Sequence, residues 1–328
     1  MARSMIRRNP LDLTAKLRQV RVREHLVEVI RGNHPKSPLV VELDPTSYCD
    51  LACPECISVS VLNAGRFSRD RILELTNEMV ELRVAGVILI GGGEPLLHTG
   101  IDELITALHN GGVRIGLTTN GTQLHQHLNV IAPLVSWTRV SVDAATAATY
   151  AKFRPSRSGR IAFDDVVRNM ELLAKRKQGT LGYSFLAMAR PHSDGTVAVT
   201  NFNEIFAAAR LAKAIGCDYF EVKPEHDMGH YVKGHRESLI RLLTDERDRL
   251  AELEDNSFQV LQQQTLDVVE GAERGVQPKS YDSCPIAELR TLITPAGAYF
   301  CPYHRGSSVA HYGDPINESL SEMWHSER

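Results

Sequence analysis

The sequence predicts an α/β chain: a partial (β/α)6 barrel followed by a small C-terminal α+β extension. Three observations carry that expectation. From about residue 38, short β-branched apolar runs alternate with amphipathic stretches of helix length, the pattern of a parallel sheet with right-handed crossovers. The alternation stops near residue 230 after six repeats, too few for a closed eight-stranded barrel. Three cysteines, Cys49, Cys53 and Cys56, follow directly on the first run, where parallel α/β folds bind ligands beyond the strand ends.

Residues 1–37 form an N-terminal helical segment. Leu17, Val20, Leu26 and Ile30 supply the apolar positions of an amphipathic helix expected over about 13–30. Arg3, Arg7 and Arg8 precede it without a continuous apolar core, so it is no secretory signal. The barrel domain, 38–230, carries expected strands at 39–43, 87–90, 113–117, 137–142, 181–188 and 219–222. Helices are expected between them at 69–82, 101–109, 124–131, 163–175 and 204–214. Ser68 stands as an N-cap, and Gly86, Gly111-Gly112 and Gly216 stand where helices should stop. The extension, 231–328, opens with a charged helix at 236–254 and adds a strand and short helix within 258–268. Leu292-Ile293-Thr294 and Ala298-Tyr299-Phe300 flank Pro295-Ala296-Gly297 as a β-hairpin.

Bulk properties exclude several classes. A formal net charge of -3 over 328 residues provides no basic field for nucleic acid. No apolar run approaches the roughly 18 residues of a membrane span. The six cysteines do not read as disulfides, because the chain is large and unsignalled; a cytoplasmic protein with reduced thiols is expected.

The cysteines Cys49-Asp50-Leu51-Ala52-Cys53-Pro54-Glu55-Cys56 have C-x3-C-x2-C spacing. Three thiolates can hold three irons of a [4Fe-4S] cube and leave the fourth open. A closed zinc site would want a fourth ligand, and no Cys or His follows Cys56 within forty residues. The second expected strand runs straight into Gly91-Gly92-Gly93-Glu94-Pro95, where glycines let the backbone approach a ligand. Together these segments resemble the radical S-adenosylmethionine (radical SAM) superfamily, whose core fold is the partial barrel. The resemblance implies a [4Fe-4S] cluster on Cys49, Cys53 and Cys56, and a Gly91, Gly92, Gly93, Glu94 segment on the amino group of S-adenosylmethionine (SAM).

Other strand ends follow the same pattern. Thr118-Thr119-Asn120-Gly121 resembles the family's cofactor-side segment, with Asn120 toward the cofactor; the residues alone also read as an Asn-Gly turn. Ser141-Val142-Asp143 places Ser141 and Asp143 on one face; the resemblance puts them near the ribose, while Asp143 alternatively caps the next helix. Arg154 resembles the loop arginine that pairs with the methionine carboxylate, or is a solvated surface residue. Ser184 and Lys223, the latter with Glu221, are further candidates. Glu55 replaces the aromatic residue that many members carry before the third cysteine, so adenine contacts fall to Ile57 or backbone.

Cys217 precedes the sixth strand and reads as a buried structural thiol. Cys284 and Cys301, with Gly297, Gly313 and Trp324, resemble a shortened SPASM/twitch extension. Three readings stand. Cys284 and Cys301, with His304, hold a second iron-sulfur cluster; or Cys284 is a catalytic hydrogen-atom donor; or both thiols survive from an ancestral cluster.

The resemblance implies reductive cleavage of SAM and hydrogen-atom abstraction from a C–H bond, with an external one-electron donor of flavodoxin or ferredoxin type. The layout is similar to members that tailor sugars in aminoglycoside or nucleoside antibiotics. The expected substrate is therefore a small polar, sugar-containing molecule, undergoing epimerisation or dehydrogenation by an epimerase or oxidoreductase. Residues 1–37 leave little room for a leader-peptide domain. Decarboxylation, carbon–carbon bond formation on a nucleoside, peptide or protein maturation, and a non-catalytic iron-sulfur module are the other readings.

Overall fold

The computed structural model describes residues 18–191, 197–227, 230–231, 236–262, 284 and 286–326. The chain divides into two compact units, Met1–Pro35 and Lys36–Arg328. In the first, α1 spans Val20–Ile30 and leaves Val20 and Ile30 exposed. Leu17 lies outside the described residues.

The second unit alternates as expected. Strands β1 (Val40–Leu43), β2 (Gly86–Leu89), β3 (Arg114–Thr119), β4 (Trp137–Ser141) and β5 (Thr180–Ala187) alternate with α2 (Arg69–Glu81), α3 (Ile101–Asn110), α4 (Leu128–Leu134), α5 (Ala147–Phe153) and α6 (Phe163–Ala174). A short ribbon, β6 (Ala189–Pro191) with β7 (Val197–Thr200), precedes α7 (Ile205–Ile215) and β8 (Tyr219–Pro224). A second ribbon pairs β9 (His226–Asp227) with β10 (His230–Tyr231), before α8 (Arg236–Ala251) and β11 (Gln259–Gln262). Last come β12 (Arg290–Thr294), β13 (Gly297–Tyr299), β14 (His311–Gly313) and α9 (Leu320–Trp324). The short helix expected after β11 lies outside the described residues.

One ten-stranded sheet orders these β11-β8-β5-β4-β3-β2-β1-β12-β13-β14. From β11 to β12 every neighbouring pair is parallel, and only the pairs β12–β13 and β13–β14 are antiparallel. Among the described residues the sheet does not close on itself, as expected of a partial barrel, and the C-terminal hairpin prolongs it at the β1 side.

Local chemistry sets the boundaries. Ser68 Oγ accepts the Arg71 amide at 3.1 Å and starts α2. That helix closes before Arg83, at φ 56, rather than at Gly86, which opens β2. Gly216, at φ 93, closes α7. Helix α5 stood only in the alternative reading of Asp143 as a cap, because Ala147-Ala148-Thr149-Tyr150 carries little amphipathic signal; Thr146 caps it instead.

Strand alternation sorts the two faces. Val41, Leu43, Val87, Leu89, Ile115, Leu117, Val140, Tyr183, Phe185, Phe220 and Val222 point to the helices and form the main core. Leu320 and Met323 of α9 join that core. Arg71 fastens the same region, donating to the Pro315 carbonyl at 2.9 Å and to the Glu318 carbonyl. The opposite face carries polar side chains, among them Glu42, Thr118, Arg139, Ser141, Ser184, Glu221 and Lys223.

Candidate active site

The cysteine loop follows β1 at the carboxyl edge of the sheet. Backbone pairing pins it to the loop after α5: the Ala52 amide donates to the Pro155 carbonyl at 2.7 Å, and the Arg157 amide to the Asp50 carbonyl at 2.9 Å. Asp50 ties it to the loop after β3. Its carboxylate accepts Asn120 Nδ2 at 2.7 Å and Thr122 Oγ1 at 2.6 Å. Cys49, Cys53 and Cys56 are all partly buried. Burial pushes the Cys49 thiol up to about 12 and raises that of Cys53.

Among the described residues, no three Cys, His, Asp or Glu side chains converge as a single-ion site requires. A four-iron cube is larger and is gripped by thiols set further apart. The donor set fits such a cube: three thiols share one loop, Cys53 close enough to raise the Cys49 pKa and Cys56 that of Cys53. A buried phenol, Tyr150 Oη, lies near Cys53 and Asp50 with no hydrogen-bond partner.

Glu94 ends the glycine segment and is 2 % exposed. Its carboxylate accepts Thr119 Oγ1 and the Asn120 amide, each at 2.7 Å, and the Leu96 amide at 3.2 Å. Burial raises its pKa to about 7 in spite of those donors. The segment is tightly seated: a Cβ on Gly93 would come within 2.2 Å of the Tyr48 carbonyl oxygen. The Glu94 side chain thus holds the β3 loop in place, while the backbone of Gly91, Gly92 and Gly93 borders the cysteine loop.

Arg154 Nε donates to Asp143 Oδ2 at 2.7 Å. Burial works against the Arg154 charge, but the Asp143 carboxylate outweighs it and holds the guanidinium above its usual range. Asp143 sits at φ 59, and its Oδ1 accepts the Leu186 amide at 2.7 Å. Asp143 therefore is not the cap of the following helix. Its carboxylate bridges Arg154 to β5. Glu55 pairs with Arg190 on β6, whose guanidinium also lies 4.6 Å over the Phe153 ring.

Residues 43–202 match the family profile described as the radical SAM superfamily. Over that segment, just under half of the chain, the sequence carries the pattern of the radical SAM superfamily. The AdoMet-dependent heme synthase of Methanosarcina barkeri is 27% identical over 190 residues, 57% of this chain and 50% of that protein. A GTP 3′,8-cyclase of Synechocystis sp. is 30% identical over 136 residues, 40% of each protein. The chain spans half or less of the length of these two curated relatives. The crystal structure of Streptococcus suis SuiB bound to S-adenosylmethionine superposes with a TM-score of 0.68, covering 94% of this chain and 70% of that one. At 16% identity that likeness shows the fold. SuiB has also been crystallised with its precursor peptide SuiA. The cofactors are those of the superfamily, a [4Fe-4S] cluster and SAM.

The structure brings Cys49, Cys53, Cys56, Gly91, Glu94, Asn120, Asp143 and Arg154 to one edge of the sheet. Ser141 pairs in register with Ser184 on the polar face. Ile57 is 67% exposed. Cys217 is buried, as its place before β8 implied. Cys284 is exposed and Cys301 partly buried. Sequence reasoning missed Asp50, Asp44, Arg139, Arg190, Arg290 and Arg305. The signal for some was present: Glu42, Arg139 and Glu221 interrupt otherwise apolar strands at the positions alternation turns away from the helices.

Proposed function

We propose that this chain cleaves SAM reductively and removes a hydrogen atom from a C–H bond of a small, polar, sugar-containing molecule. Epimerisation, with Cys284 as hydrogen-atom donor, is the outcome we favour; dehydrogenation, with a second cluster on Cys284 and Cys301, is the variant.

The observation that carries this reading is the polar face of the sheet. Glu42, Thr118, Arg139, Ser141, Ser184, Glu221 and Lys223 occupy it, with Arg290 from the extension. A lining of hydroxyls and charges suits a polyhydroxylated or charged small molecule rather than an aliphatic one. The cysteine and glycine loops stand at its carboxyl edge, so a molecule on that face lies next to the cofactor. The cofactor pair supplies a 5′-deoxyadenosyl radical when bound. The chain's own groups orient one C–H toward it and keep water away. The exposed thiol of Cys284 supports the donor reading. A relative named for its action on GTP supports a polar, charged substrate.

Peptide maturation is the second reading, favoured by the likeness to SuiB, which binds a precursor peptide. The test is anaerobic reconstitution with iron and sulfide, then reduction in the presence of SAM. Formation of 5′-deoxyadenosine and methionine is expected. No cleavage by a fully loaded protein would overturn the enzymatic reading.

A further inference from the structure

Among the described residues, the ion pairs on the polar face set three cations against two carboxylates. Arg290 Nη1 donates to Glu42 Oε1 at 2.8 Å. Arg139 Nη1 donates to Glu221 Oε2 at 3.3 Å, and Lys223 Nζ stands 3.7 Å from the same oxygen. Three cations thus share two carboxylates, and both carboxylates are already engaged. Two donors also lack acceptors: the Nε atoms of Arg139 and Arg290 are buried without a hydrogen-bond partner. A buried guanidinium N–H without a partner is rarely left so in a folded protein, and it marks where an acceptor belongs.

Aromatic rings cover the sheet beside these cations. The Trp137 ring lies over Gly116 and the Tyr219 ring over Gly182, each so close that a Cβ there would clash within 2.3 Å. Arg139 stands 6.0 Å over Trp137. Aromatic planes therefore line the floor, and the cations rise beside them. The site also lies close to the cofactor loops, because Lys223 feels the charges of both Asp143 and Arg154, and Arg154 acts in turn on Cys53.

We infer that Arg139, Lys223 and Arg290 receive an anionic oxyacid group, a carboxylate or a phosphate, of the substrate. The inference rests on the proposed function for the word substrate; the anion site itself stands on the geometry above. An added anion would neutralise the spare cation and accept from the orphaned guanidinium donors. A cationic aminosugar would be repelled by the same face.

The test uses the anaerobically reconstituted protein at constant ionic strength, with sodium chloride as the balance. Inorganic phosphate and malonate are titrated as separate probes by calorimetry. Saturable binding of at least one is expected, and which one binds distinguishes phosphate from carboxylate recognition. Lys223→Met and Arg139→Gln should each weaken that binding tenfold or more, and Lys223→Arg should restore it. Circular dichroism of each variant confirms that it is folded. If neither probe saturates beyond the chloride control, or if binding survives both Lys223→Met and Arg139→Gln, the inference is overturned. SAM cleavage by the wild type is read independently. Its absence alongside intact anion binding would sink the proposed function and leave the anion site standing.

Discussion

Arg305 grips Asp44 through two guanidinium nitrogens, with Nε at 2.6 Å from Oδ2 and Nη2 at 3.1 Å from Oδ1. Asp44 directly follows β1, and Arg305 belongs to the C-terminal extension 261 residues later. Both side chains are almost wholly buried. The third guanidinium nitrogen donates to Ser58 Oγ at 3.3 Å, and that hydroxyl donates to the Gly91 carbonyl at 3.4 Å. One arginine thus joins the extension, the first strand, the cysteine loop and the glycine segment. Removing it leaves a buried carboxylate without its cation, which costs about 3–5 kcal/mol in comparable cases. Arg305→Gln should therefore lower stability by that order in urea unfolding, and adding Asp44→Asn should recover part of the loss. Additive losses in the double variant would show that the pair is not coupled.

Asp50 gives a second expectation, at the cluster rather than the fold. It joins the cysteine loop to Asn120 and Thr122 through hydrogen bonds of 2.7 Å and 2.6 Å, and it neighbours Cys49. Asp50→Ala should leave the far-ultraviolet spectrum unchanged but lower the iron retained per chain after reconstitution. It should also hasten bleaching of the visible cluster absorbance in air. Iron content equal to wild type would show that the thiols hold their geometry without that brace.

Lys223 yields a pH-dependent expectation. Burial, aided by repulsion from Arg139, lowers its pKa from 10.5 to about 8. Between about 8 and 10.5 the unfolded chain binds more protons than the folded one, so this group makes stability rise with pH there. Below about 8 the full cost of the buried ammonium is present, at most about 3 kcal/mol. Lys223→Met removes that cost but also one partner of Glu221, which keeps Arg139 at 3.3 Å. The variant should be more stable than wild type by about 1–2 kcal/mol at pH 7. That advantage should vanish as pH passes 10.5. Denaturation midpoints across that range measure it, and a variant less stable at pH 7 would contradict the argument. A lysine kept at such a cost is what a binding site requires.

How much of this was legible beforehand depends on range. The six core strands and five of the helices lie within a few residues of expectation, because period-2 and period-3.6 patterns are local. The hairpin over 292–300 was readable from its Pro-Ala-Gly turn. Its place in the sheet was not: that β12 pairs in parallel with β1 depends on residues some 250 positions apart. The site divides the same way. Cys49, Cys53, Cys56 and the Gly91–Glu94 segment announce themselves by spacing. Arg305, Arg290 and Arg190 do not, because an arginine in a loop or at a strand end reads as solvated until its partner is known. Arg154 shows the limit within a recognised motif: its position was legible, but its pairing with Asp143 was not.

The C-terminal thiols decide between the two outcomes of the proposed reaction. If Cys284 donates a hydrogen atom, it is left as a thiyl radical that one electron from the external donor and one solvent proton restore, so the product takes up a hydrogen that exchanges with solvent at the thiol. Turnover in D2O should then place deuterium at the inverted carbon. Cys284→Ser should abolish product while 5′-deoxyadenosine still forms, because SAM cleavage needs only the first cluster. The triple variant Cys49→Ala/Cys53→Ala/Cys56→Ala should then lose nearly all iron and sulfide. If Mössbauer spectra of that triple variant instead show a retained four-iron cluster, the metal sits on Cys284 and Cys301. The substrate radical would then lose an electron to it, and dehydrogenation would replace epimerisation. The two results exclude each other, since a thiolate bound to iron carries no hydrogen to give.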